Sequence, residues 1–246
     1  MGSPAAAGAG PLTGKTVLIT GGDSGIGKKI AVSLAAQGAQ VVIQHPHAPE
    51  SAADVVKEIT GSGGAALALA ADIGDRLEYE ELVQALLEEC GRWDVLVSTT
   101  GPAVSTPLAE LTEDEFDLAF ATPAKGVLHG LQLAATQLAD GGRVITVASA
   151  TPSDSTVDAA ATGAIAEFTR GLAADFTQRR ITVNAVSPAN GGPDANAPAV
   201  AQLPGPVSET TEITEVVAFL ATDAAEAVTA QHIRVTDGAT EAAATV

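Results

Sequence analysis

Between residues 15 and 238, short runs of apolar, often β-branched residues alternate with longer stretches whose apolar positions recur every three or four residues. The short runs predict strands at 16–20 (TVLIT), 39–45 (AQVVIQH), 65–72 (AALALAAD), 93–101 (WDVLVSTTG), 143–149 (RVITVAS), 181–188 (ITVNAVSP) and 232–238 (HIRVTDG). The longer stretches predict helices at 28–38, 51–64, 77–91, 113–142, 157–178 and 214–223, the first closed by Gly38. Pro123 falls inside the long fourth helix. Lacking an amide hydrogen, it must kink that helix or divide its hydrogen bonding. Strands without in–out alternation, each separated by a helix, predict a single α/β domain: a doubly wound parallel sheet covered on both faces. Residues 1–12 are expected to be a flexible tail and 13–246 the domain. The Pro/Gly-rich stretch 189–206 is expected to be a substrate loop at the carboxyl edge of the sheet.

The segment TGGDSGIG (20–27) joins the first strand to the first helix. Gly21, Gly25 and Gly27 allow a tight turn, close approach of backbone to a pyrophosphate, and close helix–strand packing. Asp23, Ser24 and Ile26 complete the turn, and the amides opening the helix would face the phosphates. The bland alternative is a tight turn with no ligand.

With this motif in place, nearly the whole chain resembles the short-chain dehydrogenase/reductase family, whose fold is Rossmann-type. TGGDSGIG fits the family's Thr-Gly-x-x-x-Gly-x-Gly, and Asp72-Ile73 fits the site of the acidic residue that contacts adenine. Ser98-Thr99-Thr100-Gly101 stands where the family has Asn-Asn-Ala-Gly, which places Thr99 and Gly101 beside the cofactor. VNAVSP (183–188) leads to the family's nicotinamide-contacting Pro-Gly, here Pro188-Ala189, and the last segment ends in the family's Asp-Gly at 237–238. The resemblance implies association through the two long helices, as a homodimer or homotetramer, or as a hetero-oligomer with an active relative. The family's NAD-selective members carry an acid at the end of the second strand. Here Gln44-His45 stand there, and His47 follows where some NADP-binding members have Arg, so NADP(H) is favoured over NAD(H). The alternative is that His45 and His47 are ordinary loop residues on the surface.

The resemblance also exposes a departure. The family reduces carbonyls with a Tyr that donates the proton, a Lys four residues later, a Ser that stabilises the oxygen, and an Asn in the preceding long helix. In this alignment Asp158 takes the Tyr place, Thr162 the Lys place and Pro123 the Asn place. Ser149 remains, with eight residues between it and Asp158. Composition makes the point without any alignment. Tyr79 is the sole tyrosine, Val83 stands four residues after it, and no lysine follows Lys125. Asp158 would suit proton abstraction when ionised, or donation if burial raised its pKa. The bland reading is an acid in the first turn of its helix, with Thr162 filling space and Ser149 ending a strand.

Charge and cysteine content narrow the rest. Twelve basic against thirty acidic residues give a net charge of −18, which argues against nucleic acid and anionic membrane as partners. Cys90 is alone, so neither an internal disulfide nor a two-cysteine metal site can form. His129 and His232 read as structural, TEDEFD (112–117) reads as a helix start rather than a metal site, and no metal is expected. With no long apolar run and no basic start before one, a cytoplasmic protein is expected.

Two functions remain open. One is an NAD(P)(H)-binding enzyme acting on a small, secondary-metabolite-type organic substrate. It would reduce C=N or C=C bonds, or run a redox-neutral cyclisation, isomerisation or elimination, without Tyr-mediated ketone reduction. The other is an inactive, cofactor-holding subunit that supports or regulates an active partner.

Overall fold

The computed structural model describes residues 10–46, 48–99, 106, 107, 109–147, 156–188 and 209–235; at 121, 122, 156–159, 209 and 210 it describes the backbone alone. Seven strands among these residues form one sheet: β1 (Thr16–Thr20), β2 (Gln40–His45), β3 (Ala65–Ala70), β4 (Val95–Thr99), β5 (Arg143–Val147), β6 (Thr182–Pro188) and β7 (His232–Val235). All are parallel, in the order β3-β2-β1-β4-β5-β6-β7. The expected doubly wound sheet is therefore present. Its order reverses between β1 and β4, where the connections leave in opposite directions and open a crevice at the carboxyl ends of the strands.

The helices are α1 (Gly25–Ala36), α2 (Pro49–Gly61), α3 (Arg76–Cys90), α4 (Glu113–Phe116), α5 (Thr122–Gln137), α6 (Thr156–Leu172) and α7 (Glu209–Ala221). On one face of the sheet, Ile30 and Leu34 of α1, Val55 and Ile59 of α2, and Ile213 and Val217 of α7 pack over Val17, Ile19, Val41, Ile43 and Ile145. On the other, Tyr79 and Leu86 of α3, Val127 and Leu131 of α5, and Ile165 of α6 cover Leu18, Val42, Leu96 and Val144. Helices on both faces leave β1, β4, β5 and β6 buried at every position rather than at alternate ones.

Several boundaries moved for identifiable reasons. The helical path expected over 113–142 is α4, a π turn at Asp117–Ala121 and α5. Pro123 has no amide to offer the carbonyl of Ala119 and its ring crowds that turn, so the hydrogen-bonding register shifts just before it. The start is as expected: Thr112 and Glu115 form a capping box in which each side chain accepts from the other's backbone amide. The end comes at Gln137, because Ala139 donates to the Trp93 carbonyl (2.7 Å) and Gly141 turns left-handed at φ 75°. At the other extreme of the chain, Leu12 is fully buried and its amide donates to the Gln37 carbonyl (3.1 Å), so Gly10–Leu12 of the expected tail belong to the packed domain.

Tyr79 links the packing of α3 against α5 to pH. Its ring lies wholly inside the core, its hydroxyl has no hydrogen-bond partner among the described residues, and a Cβ built at Gly130 of α5 would stand 2.8 Å from that oxygen. Burial holds the phenol well above its ordinary pKa. The unfolded chain therefore ionises first, so this group's contribution to stability is intact below about pH 10 and falls as pH rises above that value. Tyr79→Phe is expected to be neutral or stabilising by up to about 2 kcal/mol in denaturant melts, since it removes an unpartnered polar atom. Gly130→Ala is expected to destabilise by about 1–3 kcal/mol through overpacking. A large loss in Tyr79→Phe would mean that the hydroxyl has a partner.

Candidate functional site

The crevice is built around the turn that leaves β1. Gly21 and Gly25 adopt left-handed backbone, at φ 62° and 52°, which other residues enter only with strain. A Cβ at Gly27 would lie 2.2 Å from the Gly21 carbonyl oxygen, so α1 rests against the turn with no room for a side chain. A Cβ at Gly21 would lie 2.7 Å from Oγ1 of Thr99. Ser24 is the N-cap of α1 in extended backbone, its hydroxyl makes no capping bond, and no acid occupies the first turn of the helix. Polar groups that elsewhere would be spent on capping are left at the positive end of a twelve-residue helix, which is an anion's environment. This cradle fits the pyrophosphate of a dinucleotide.

Neighbouring strands hold the turn in place. Thr99 Oγ1 donates to the Thr20 carbonyl (2.6 Å), and the Thr99 amide donates to Thr20 Oγ1 (3.1 Å). Thr99, expected as a cofactor contact, thus has its hydroxyl engaged in joining β4 to β1. Gln44 at the tip of β2 accepts from the Gly21 amide through Oε1 (2.9 Å) and donates through Nε2 to the Ala71 carbonyl (2.6 Å). Next to Ala71, Asp72 Oδ1 accepts from the Gly74 amide (2.8 Å) and Glu78 accepts from the Asp72 amide (2.7 Å), which fixes the loop expected at the adenine. His129 of α5 donates through Nδ1 to the Ile73 carbonyl (3.2 Å), and Ile73 packs under Gly126.

The structure brings together Gly21, Gly25, Gly27, Thr99 and the Asp72–Ile73 loop. Asp23 and Ile26 are half-buried in the turn, and Pro188 ends β6. His45 differs from the surface-loop alternative. It is the last residue of β2, 6 % exposed, and its Nδ1 is buried with no partner among the described residues. Register places it in the sheet: His45 pairs with Ala70, and its carbonyl accepts from the Ala71 amide. Thr162 is half-buried, one helical turn before Ile165 and Ala166, which face the sheet. Asp158 lies four residues earlier in α6. Ser149, Gly101, His47 and the 189–206 loop fall outside the described residues, as does the side chain of Asp158. Gln44 and His129 were missed as site-shaping residues. Their signal lies in strand register and helix packing, and local sequence carries neither.

Tyr79 lies under α3 in the core, and Lys125 is exposed on α5. His232 Nε2 and Ser187 Oγ form a 2.8 Å hydrogen bond across β6 and β7, in keeping with a structural role. No cluster of His, Cys, Asp and Glu able to hold a metal occurs among the described residues. No helix of theirs is long and apolar enough to cross a membrane.

Gly27→Ala is expected to weaken dinucleotide binding at least about tenfold, since backbone must move to admit the methyl group. Gly21→Val should do the same, through its left-handed φ and the Thr99 contact. Fluorescence titration of both variants against wild type checks this; unchanged affinity in Gly27→Ala would contradict the cradle.

A family profile described as enoyl-(acyl carrier protein) reductase matches residues 21–240. A hydroxynaphthalene reductase-like protein of Metarhizium majus is 35 % identical over 92 % of this chain and 95 % of its own length. A short-chain dehydrogenase of Burkholderia cenocepacia, solved in complex with NADP, superposes with a TM-score of 0.80 at 30 % identity, covering 94 % of this chain and 99 % of that one. A landomycin C-6 ketoreductase, solved with bound NADP and rabelomycin, superposes with a TM-score of 0.79 at 33 % identity, over 92 % of this chain and 96 % of that one. Shared fold, cradle and sequence across nearly the whole length lead to one conclusion: the chain belongs to the short-chain dehydrogenase/reductase family of oxidoreductases.

Proposed function

We propose that this protein is an NADP(H)-preferring enzyme that reduces a C=N or C=C bond, or catalyses a redox-neutral step, in a small organic substrate of the secondary-metabolite type, without a Tyr–Lys couple. The position of Tyr79 carries this reading. The one phenol in the chain is locked in the core, and no lysine follows Lys125 to accompany a donor on α6. Protonating the alkoxide of a plain ketone requires such a donor. A cationic C=N carbon accepts hydride without one, and a C=C bond in conjugation needs a proton only at carbon, which a carboxyl or water can supply.

A nicotinamide dinucleotide held in this cradle would supply or accept hydride. The residues of this chain have the other duties. Gly21, Asp23, Ser24, Gly25, Ile26 and Gly27 hold the pyrophosphate, Asp72 and Ile73 the adenine, and Thr99, Gly101 and Pro188 border the nicotinamide half. Ser149 orients the substrate, Asp158 moves a proton on it, and Thr162 takes a hydrogen bond to ribose. The NADP preference is supported by a β2 tip of Gln44 and His45, with no carboxylate to repel a 2′-phosphate. It is supported also by the NADP bound in the two structures described above. For the substrate class, the support is that one relative is named as hydroxynaphthalene reductase-like and another as a landomycin C-6 ketoreductase, solved with rabelomycin. The profile named for an enoyl reductase supports C=C chemistry.

A second reading, a cofactor-holding subunit that supports an active relative, is favoured by apolar side chains left open around α4 to α6. Phe116, Leu118, Leu128 and Phe168 are 42 %, 49 %, 38 % and 50 % exposed. Such a surface suits assembly, as a homodimer, homotetramer or hetero-oligomer.

Titration should give saturable NADPH binding at least about tenfold tighter than NADH, a difference of ~1.4 kcal/mol. With NADPH, simple ketones should show no turnover above background. Aromatic iminium and enone probes should be reduced, and Asp158→Asn and Ser149→Ala should each slow that reduction about tenfold or more. Efficient ketone reduction by rigorously purified protein would refute the proposed chemistry. Tight NADPH binding with no turnover of any probe would favour the subunit reading.

A further inference from the structure

Gln44 is the last residue but one of β2, and its side chain is turned inward. It is 1 % exposed. Its carboxamide spans two elements far apart in sequence: Oε1 accepts from the Gly21 amide at 2.9 Å, and Nε2 donates to the Ala71 carbonyl at 2.6 Å. The Gln44 backbone carbonyl also accepts from the Gly22 amide at 3.2 Å. One residue therefore fixes the first two amides of the glycine turn and ties them to the end of β3, immediately before Asp72.

We propose that Gln44 is a positioning residue that presets the dinucleotide cradle and couples its pyrophosphate end to its adenine end. The inference rests on the cofactor reading above. Its physical basis is polarity: one end of the bridge must accept from N–H and the other must donate to C=O. A carboxamide meets both demands. A carboxylate meets the first and sets a lone pair against the Ala71 oxygen; a thioether meets neither. Ala71 is 4 % exposed, so a failed bond there leaves a buried carbonyl unpaired, while the half-buried Gly21 amide loses the acceptor that holds it. Gly21 is also the residue that can least hold itself, since glycine samples left- and right-handed backbone with equal ease and its φ of 62° is one choice among several.

The test uses the full chain with Gln44→Met and Gln44→Glu. In cofactor-free protein, hydrogen exchange at the Gly21 and Gly22 amides should accelerate at least about tenfold in Gln44→Met, while core amides of β4 and β5 keep wild-type protection. NADPH affinity should fall at least about tenfold in the same variant. In wild type, adenosine 2′,5′-bisphosphate, which lacks a pyrophosphate, should slow exchange at Gly21; in Gln44→Met it should not. Gln44→Glu supplies a chemical rescue. When ionised its carboxylate still accepts from Gly21 but opposes the Ala71 oxygen; when protonated it donates O–H to Ala71 as the amide did, so protection of the amides at 71–74 should recover towards wild type between pH 8 and pH 5, relative to wild type measured in parallel. Unchanged Gly21 exchange in Gln44→Met, or no pH-dependent recovery in Gln44→Glu, overturns the proposal. If Gln44→Met does not fold, the pH series on Gln44→Glu decides. Should wild type bind no nicotinamide cofactor, the cofactor reading fails, and exchange at Gly21 in the free protein still reports whether the bridge presets the turn.

Discussion

The contact on which the molecule depends is the one between the start of α1 and the end of β1. At Gly27 helix and turn meet so closely that a single methyl group would lie 2.2 Å from the Gly21 carbonyl oxygen. That approach aims the first amides of α1 at the carboxyl edge of the sheet. In a parallel sheet every strand delivers its carboxyl end to this edge, and between β1 and β4 the connections part. The cradle, the Thr99 end of β4 and the Asp72 loop converge there because the topology leaves them no other meeting place.

Strand β1 is secured at both ends by β4 and the residue before it. At the amino end Asp94, 3 % exposed, accepts from the Thr16 amide (2.9 Å) while Arg92 pairs with its carboxylate. At the carboxyl end Thr20 and Thr99 exchange two hydrogen bonds. All five residues of the strand are buried, Thr16–Thr20 paired to β2 and Val17–Thr20 to β4 in unbroken register. Buried polar groups here are matched in pairs, which makes the register specific where apolar packing alone would tolerate slippage. With few aromatic residues, the two core layers rely on close contact among Ala, Val, Leu and Ile, so Trp93 and Tyr79 stand out as isolated large fillers.

Much of this architecture was legible. Strands buried on both faces cannot alternate, and the runs TVLIT and RVITV say so directly. The glycine spacing placed the cradle, and Pro123 announced a break that the structure realises as a π turn. What escaped notice was the direction of side chains at the strand tips. Gln44 read as a missing acid and His45 as a cofactor contact or a surface loop residue; one bridges two strands from inside, and the other is buried at the end of β2. His129 read as structural, and its bond to Ile73 ties it to the Asp72–Ile73 loop, 56 residues away in sequence. Neither residue lies in a recognisable motif, because each acts on a partner that only pairing or packing brings near.

Composition settled one matter without reference to any fold. A chain with a single tyrosine and no lysine beyond residue 125 holds no second phenol to place beside an ammonium on its sixth helix, since no folding path creates a side chain that was never encoded. Local pattern likewise determined which segments become strands and which become helices, because both periods arise from backbone geometry within a few residues. Tertiary structure alone decided that Tyr79 is sealed in the core and that Gln44 joins Gly21 to Ala71. Burial and long-range hydrogen bonds depend on the relative placement of whole elements, and that placement is a property of the assembled sheet.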